Sequence, residues 1–200
     1  MAKYKTYRGK RFFDVGVALL LLVFFSPLLL LTALIVWLVS GSPIIYHRKV
    51  IGLAGKSFSV LKFRTMVNRA EASEEKIYRG RRTKPIEDSR ITGIGRILRR
   101  TSLDELPQLI NVLRGEMSLV GPRPMPEWMT EELPEEARRV YFSLIPGITG
   151  LPQVIDRSLI PYSAERIGME NKYYGKMSFL LDCQIFLRTI FVVIAGQGAY

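Results

Sequence analysis

Two adjacent carboxylates, Asp104 and Glu105, are the residues of this sequence that best suit catalysis, and Arg99 and Arg123 flank them. Opposite charge favours the ionised carboxylate, and an ionised carboxylate can attack phosphorus and carry a phosphoryl group covalently. A second carboxylate can bind Mg²⁺, which prefers oxygen ligands and substrate phosphates, while arginines bind the remaining phosphate oxygens. The pattern therefore indicates chemistry on a phosphorylated substrate.

A structural interpretation of the same residues stays open. Ser102 and Glu105 have the spacing of a helix capping box, and acidic residues in a first turn interact favourably with the helix dipole. The segment 121–124, Gly-Pro-Arg-Pro, is ambiguous in the same way. It fits either a turn with a solvated arginine or a fixed contact to phosphate.

The composition excludes some sites and indicates a class of partner. The 200 residues include a single Cys, Cys183, and a single His, His47. An intrachain disulfide and any metal site that needs two histidines are therefore excluded. The chain has 29 Lys and Arg against 18 Asp and Glu, a net charge of +11. This excess implies an anionic partner, which can be nucleic acid, anionic lipid or a phosphorylated substrate.

An uncharged apolar stretch covers residues 15–39, with basic residues on both sides. As a helix it would be about 37 Å long, which is enough to cross a bilayer with tilt. Ser26 and Pro27 lie in its middle, and proline removes a helical hydrogen bond there. A kinked transmembrane helix and a re-entrant hairpin both remain open. Proline is tolerated in spanning helices, whereas basic charge on both flanks favours the hairpin, because such charge marks the cytoplasmic side.

The rest of the chain divides into segments by its patterning. Alternation and a glycine-rich turn predict a β-hairpin over 44–66. Residues 67–92 are polar and suit a surface helix or a mobile loop. Helical periodicity covers 94–115, and 164–195 is predicted to be helical again. Between them, 116–161 is rich in Pro and Gly, which predicts ordered loop around short helices.

Three motifs resemble one family, the bacterial sugar transferases, which are monotopic polyprenyl-phosphate phosphoglycosyl transferases. They are Lys62-Phe-Arg-Thr-Met66, the block from Arg99 to Pro124 that contains Leu-Asp-Glu-Leu-Pro, and Pro146-Gly-Ile-Thr-Gly-Leu-Pro-Gln153. The resemblance extends from Lys10 to about Ala195. The short chain is similar to the minimal catalytic type, which lacks additional N-terminal transmembrane helices.

The resemblance implies an α+β fold that is mainly helical. Residues 1–40 would be a basic N-terminus and a re-entrant membrane helix-break-helix, with the break at Ser26 and Pro27. Residues 41–200 would be a membrane-associated catalytic domain with a short β-hairpin and interfacial amphipathic helices. The implied location is the bacterial inner membrane, with the catalytic domain on the cytoplasmic face and anionic phospholipid as its surface.

The resemblance also implies a reaction. Sugar 1-phosphate moves from a UDP-sugar to polyprenyl (undecaprenyl) phosphate, which gives polyprenyl-diphospho-sugar and UMP, as the first membrane step of glycoconjugate assembly. The mechanism would be ping-pong, with a covalent phospho-sugar on Asp104 and with Glu105 as the Mg²⁺ ligand. Five basic residues match positions associated with phosphate or nucleotide-sugar binding or with the basic strand near the active face: Arg99, Arg123, Arg157, Lys62 and Arg64.

Departures from the family pattern leave the sugar undetermined. They are His47, Ile145, the pair Ile155 and Asp156, and Glu170. The alternative function is a non-enzymatic basic membrane anchor. No recognition motif for nucleic acid is present, so nucleic acid is not an expected partner. The oligomeric state is left open, a homodimer included.

Overall fold

The computed structural model describes residues 6–67, 77, 88–156, 158–159 and 163–195. Its strands are β1 (Ile45–Ile51), β2 (Ser57–Phe63), β3 (Ser118–Val120) and β4 (Gly147–Thr149). Its helices are α1 (Lys10–Ser40), α2 (Gly93–Thr101), α3 (Gln108–Arg114), α4 (Glu127–Glu131), α5 (Glu135–Phe142), α6 (Leu151–Ile155), α7 (Ala164–Lys176) and α8 (Phe179–Ile194). Short 3-10 turns lie at Leu53–Gly55 and Leu103–Glu105. The predicted mainly helical fold with a short β-hairpin is confirmed.

The long apolar helix α1 continues through Ser26 and Pro27, so the predicted interruption of the helix is not present. Pro27 has no N–H to donate to the carbonyl four residues earlier, which belongs to Val23. The hydroxyl of Ser26 donates to that carbonyl instead, at 2.8 Å. The lost hydrogen bond is thereby replaced, and this explains why the helix persists where the sequence predicts a break.

Both halves of α1 pack against the rest of the protein, whereas its middle is exposed. Ala18, in the first half, belongs to the main hydrophobic cluster. Val36, in the second half, packs with Phe63 of β2 in another cluster. Between them, Val23 and Leu30 are 74% and 73% exposed. Among the described residues, α1 is the one helix long and apolar enough to cross a membrane.

A buried polar network fixes the start of α1. The Lys10 ammonium donates to the carbonyl of Val120 at 3.1 Å and to the carboxylate of Asp182. That carboxylate also accepts from the hydroxyls of Tyr7 and Tyr173, each at 2.8 Å. Since Asp182 lies in α8 and Val120 ends β3, the network joins the long apolar helix α1 to both elements.

Two arginines cap helix C-termini, where backbone carbonyls have no helical partner. Arg11 donates to the carbonyls of Val112 and Leu113 in the last turns of α3, at 2.5 and 2.9 Å. Arg64, directly after β2, donates to the carbonyls of residues 40–42 at the end of α1. Each end of α1 is therefore bound to the elements that surround the carboxylate pair.

The predicted hairpin is β1 and β2, which are antiparallel with Ile45 opposite Phe63. The structure adds a second pair, which the sequence pattern did not predict, because β3 and β4 are parallel. This pair brings two glycine-containing segments together, and Gly121 donates to the carbonyl of Thr149 at 2.9 Å. A Cβ at Gly121 would lie only 2.4 Å from the carbonyl oxygen of Ile145, so this crossing requires glycine.

The helical pattern over 94–115 forms two helices rather than one. Ser102 has a positive φ of 55° and ends α2, and the 3-10 turn that follows leads through Pro107 into α3. Periodicity does not reveal this break, because the helical spacing of apolar residues continues across it at Leu103 and Leu106. Of the segment 67–92, residues 68–76 and 78–87 lie outside the described residues.

Candidate active site

The two carboxylates lie in the 3-10 turn between α2 and α3. The left-handed backbone at Ser102 turns the chain sharply, and Pro107 suits the start of α3, where its missing N–H costs nothing. The side chain of Ser102 does not cap the turn, so the capping-box interpretation is wrong. The turn instead directs the acidic residues toward β2.

Glu105 forms an ion pair with two basic residues that the sequence motifs assigned to the site. Lys62 donates from Nζ at 2.7 Å and Arg123 from Nη2 at 2.9 Å, and both bind the same oxygen, Oε1. Burial raises the pKa of Glu105, but Arg123 and Lys62 together outweigh it and hold that pKa well below its usual value. Glu105 is therefore ionised. The predicted grouping of Lys62, Arg123 and the carboxylates is found.

Asp104 lies in a different environment, although it is the adjacent residue. It is only 6% exposed, and no hydrogen bond or ion pair to any described residue engages its carboxylate. Burial, and then the negative charge of Glu105, raise the pKa of Asp104 to about 6, while Lys62, Arg99 and Arg123 oppose the rise. The pair therefore consists of one carboxylate neutralised by two cations and one buried, poorly solvated carboxylate with a raised pKa.

Arg99 reaches the site from the last turn of α2. Its Nε donates to the hydroxyl of Thr65 at 3.0 Å, and its charge contributes to lowering the pKa of Asp104. Thr65 is buried, and its carbonyl accepts from the N–H of Thr92 at 3.0 Å, at the start of α2. Thr65 thus orients Arg99, a role that no pattern in the sequence indicated.

Of the predicted phosphate-binding residues, one has its guanidinium at the end of α1, and one lies outside the described residues. The Arg64 guanidinium is buried and caps the end of α1. Arg157 lies outside the described residues. Ser26 and Pro27 are exposed in the middle of α1, and their predicted role as a membrane break stays a prediction.

A recess opens beside Arg123, and no sequence motif predicted it. Arg166 and Glu170 of α7 line it with apolar residues that include Met125 and Leu133. Arg166 and Glu170 pair at 3.7 Å. Burial raises the pKa of Glu170 to about 7 against the opposing charge of Arg166. In the sequence, Glu170 stands out only as a departure from the family pattern, and its partner four residues earlier gives no further signal.

Among the described residues, no group of three or more His, Cys, Asp or Glu side chains is placed to hold a metal ion. Asp104 and Glu105 still fit Mg²⁺, because one or two carboxylates often bind this ion together with substrate phosphates and water. The charge of Glu105 raises the pKa of Asp104, and a bound cation would relieve that repulsion. Since Lys62 and Arg123 both bind Oε1 of Glu105, Oε2 is the oxygen that remains for a metal.

Comparison with known proteins shows the family. A family model described as bacterial sugar transferase matches residues 5–196. The exopolysaccharide production protein ExoY of Sinorhizobium fredii is 40% identical over 96% of this chain and 88% of its own length. A UDP-glucose:undecaprenyl-phosphate glucose-1-phosphate transferase of Caulobacter vibrioides is 41% identical over 96% of this chain and 72% of its own.

A third relative, a UDP-galactose-lipid carrier transferase of Erwinia amylovora, is 41% identical over 100% of this chain and 43% of its own length. The matched region contains all the candidate site residues. The names of these relatives include two transferases, so the alternative of a non-enzymatic anchor is not supported. The chain therefore belongs to the bacterial sugar transferase family and is an enzyme.

Proposed function

We propose that this enzyme transfers sugar 1-phosphate from a UDP-sugar to undecaprenyl phosphate through a covalent intermediate on Asp104. The observation that carries the proposal is the asymmetry of the carboxylate pair. Glu105 is neutralised by Lys62 and Arg123, whereas Asp104 is buried, poorly solvated and without a partner among the described residues. A carboxylate in this state is a better nucleophile than one already held by cations.

In the first half-reaction, an Asp104 carboxylate oxygen attacks the phosphorus that bears the sugar. The bond from this phosphorus to the bridging oxygen breaks, and UMP leaves with the electron pair. Arg123, Lys62 and Arg99 surround the carboxylates and supply positive charge for the phosphate oxygens, which gain charge as UMP departs. Mg²⁺ held by Glu105 would add Lewis-acid stabilisation of the same oxygens.

In the second half-reaction, an oxygen of undecaprenyl phosphate attacks the same phosphorus. The bond between phosphorus and the Asp104 oxygen breaks, which returns the free carboxylate and releases the undecaprenyl-diphospho-sugar. The pKa of Asp104, raised to about 6, makes its carboxylate a moderate base that both attacks and leaves. Asp104 can therefore serve as nucleophile in the first half-reaction and as leaving group in the second.

The names of the relatives support the donor and the acceptor. One is named for UDP-glucose and undecaprenyl phosphate, and another for a UDP-galactose-lipid carrier reaction. Two others are named for exopolysaccharide production, which supports a first membrane step in glycoconjugate assembly. Glucose and galactose are thus the first donors to test.

Several contacts support a re-entrant course for α1. A straight helix of this length would be about 45 Å long and could cross a bilayer core of about 30 Å. Its first turns, however, are bound to α3 through Arg11, and its last residue is bound to Arg64. Because α3 and β2 pack directly against each other, both ends rest on the same body. The exposed middle would then dip into one leaflet, with bending at Pro27.

A second surface supports membrane association. In α8, Leu180, Leu187, Phe191 and Ile194 are exposed apolar side chains. The buried Asp182 anchors this helix to the start of α1, so its apolar face lies near the membrane segment. An interfacial position for α8, on a cytoplasmic leaflet rich in anionic phospholipid, accounts for this exposure and for the net charge of +11.

The function is tested by mixing the purified full-length chain with UDP-glucose or UDP-galactose, undecaprenyl phosphate and Mg²⁺, and by measuring UMP. One donor should release UMP together with a lipid-linked sugar. Asp104→Asn should abolish release, whereas Glu127→Gln, at an exposed position of α4, should not. Unchanged turnover in Asp104→Asn would contradict the assignment of the nucleophile.

The topology is tested separately with Thr6→Cys and Lys56→Cys in a Cys183→Ser background. A re-entrant α1 predicts that an impermeant thiol reagent labels both positions from the same side of sealed inside-out vesicles. Labelling of the two positions from opposite sides would show that α1 spans the membrane.

A further inference from the structure

Gln108, the first residue of α3, has a buried side-chain amide without a function in the fold. The residue is 2% exposed, and its Nε2 has no hydrogen-bond partner among the described residues. Leaving a buried donor unpaired destabilises the folded state, and native proteins seldom retain such groups without a reason. An apolar residue of similar size would avoid this cost.

The position of Gln108 relative to the carboxylates indicates why an unpaired amide is retained there. The backbone is helical from the 3-10 turn through Leu106 and Pro107 into α3. Residues three and four apart on a helix are neighbours, with Cβ atoms about 5–6 Å apart. Gln108 follows Glu105 by three residues and Asp104 by four. By this spacing we expect its Cβ to lie next to those of both carboxylates, and the side chain is buried.

Asn111, one turn further along α3, is a buried amide whose hydrogen bonds stabilise the fold. Its Oδ1 accepts from the N–H of Leu61 at 3.0 Å, and its Nδ2 donates to the carbonyl of Ser59 at 2.8 Å. These bonds fasten α3 to β2. Gln108, at 2% exposure in the same helix, makes no such bond through Nε2 to any described residue. Holding the helix to the strand is therefore the task of Asn111 and not of Gln108.

We infer that the Gln108 amide donates a hydrogen bond to a non-bridging oxygen of the phosphoryl group that Asp104 attacks and then carries. The donor is unpaired in the protein alone because its acceptor arrives with the substrate. Gln108 forms no covalent bond: the oxygen–phosphorus bond forms at Asp104, and the leaving electron pair goes to UMP. A donor fixed in a poorly solvated site stabilises charge on the phosphoryl oxygens with little reorganisation.

This inference rests on the covalent mechanism of the proposed function, and Gln108→Leu tests it. The first half-reaction is followed by rapid mixing with the active UDP-sugar in the absence of acceptor lipid, as the rate and amplitude of the UMP burst. We expect a burst rate about 100- to 1,000-fold lower, as when one oxyanion donor is removed. The melting temperature should stay equal to that of the wild type or rise, because the unpaired amide is gone.

Asn111→Leu is the matched control, with the same helix, the same face and a side-chain amide removed. It should lower the melting temperature, because two bonds to β2 are lost. A Gln108→Leu protein with a lowered melting temperature and an unchanged burst rate would assign Gln108 to the fold and overturn the inference.

The two proposals fail in distinguishable ways. If the wild type shows no UMP burst without acceptor, the covalent mechanism fails, and the Gln108 inference fails with it. If the wild type shows a burst and Gln108→Leu shows one within twofold of its rate, only the role of Gln108 is overturned.

Discussion

Lys62 donates to Glu105 at 2.7 Å, from the strand β2 to the turn before α3. This contact neutralises one of two adjacent carboxylates, and the other, Asp104, is the nucleophile of the proposed mechanism. Without such a cation, two neighbouring negative charges in a buried site would raise each other's pKa, and one would remain protonated. The ion pair therefore sets which carboxylate is available as a nucleophile.

The pH dependence of the first half-reaction follows from the pKa of Asp104, which burial and Glu105 raise to about 6. Only the ionised carboxylate attacks, so the UMP burst rate should rise with pH and level off above about pH 7. Below pH 6 the rate should fall about tenfold per pH unit. Stopped-flow measurement from pH 5 to 8 checks this. A flat profile over that range would exclude a nucleophile with such a pKa.

Lys62→Met should move that profile to higher pH. The Lys62 charge lowers the pKa of Asp104, so its removal raises that pKa further. At pH 5 the burst rate should then fall by roughly tenfold for each pH unit that the midpoint of the profile moves up. Lys49→Met, an exposed lysine on the neighbouring strand β1, is the control and should leave the profile in place. An unchanged midpoint in Lys62→Met would contradict the influence of Lys62 on the pKa of Asp104.

Ser26 should stabilise α1 only because Pro27 is present. Ser26→Ala leaves the Val23 carbonyl without its donor, which should cost roughly 1–3 kcal/mol where water is scarce. In a Pro27→Ala background, residue 27 regains an N–H and the same change should cost much less. A double-mutant cycle on melting temperatures in detergent measures this coupling. Additive effects would show that the hydroxyl does not replace the proline's missing bond.

Asp182 should be essential to the stability of the protein. Asp182→Asn removes the nearer counter-charge of the buried Lys10 ammonium and leaves only Asp14 at 3.9 Å. Breaking a buried ion pair costs about 3–5 kcal/mol. Adding Lys10→Met should recover part of the loss, since the buried ammonium is then gone. Glu135→Gln breaks an exposed ion pair with Arg139 and should change little. Equal denaturation midpoints for Asp182→Asn and Glu135→Gln would contradict the importance of the network.

The sequence predicted what depends on local pattern. The hairpin follows from alternation and a glycine turn, and the long helix follows from its composition. The cluster of Asp104, Glu105, Arg123 and Lys62 was predicted as a set, but only the structure shows that both cations bind Glu105.

Other features of the fold and the site depend on long-range contacts, which the periodicity of a single segment does not reveal. The parallel pairing of β3 and β4 joins segments about 30 residues apart along the chain. Arg64 was predicted to bind phosphate and instead caps α1, because a basic residue in sequence does not show which acceptors lie near it. The persistence of α1 through Pro27 depends on one serine rotamer.

The covalent mechanism is tested most directly by the mass of the intact protein. After mixing with the active UDP-sugar and Mg²⁺ without acceptor lipid, the wild type should gain the mass of one hexose phosphate, and peptide mapping should place it on Asp104. Undecaprenyl phosphate should then remove the adduct. UMP release that requires the acceptor lipid, with no adduct on Asp104 at any time, would contradict a covalent mechanism.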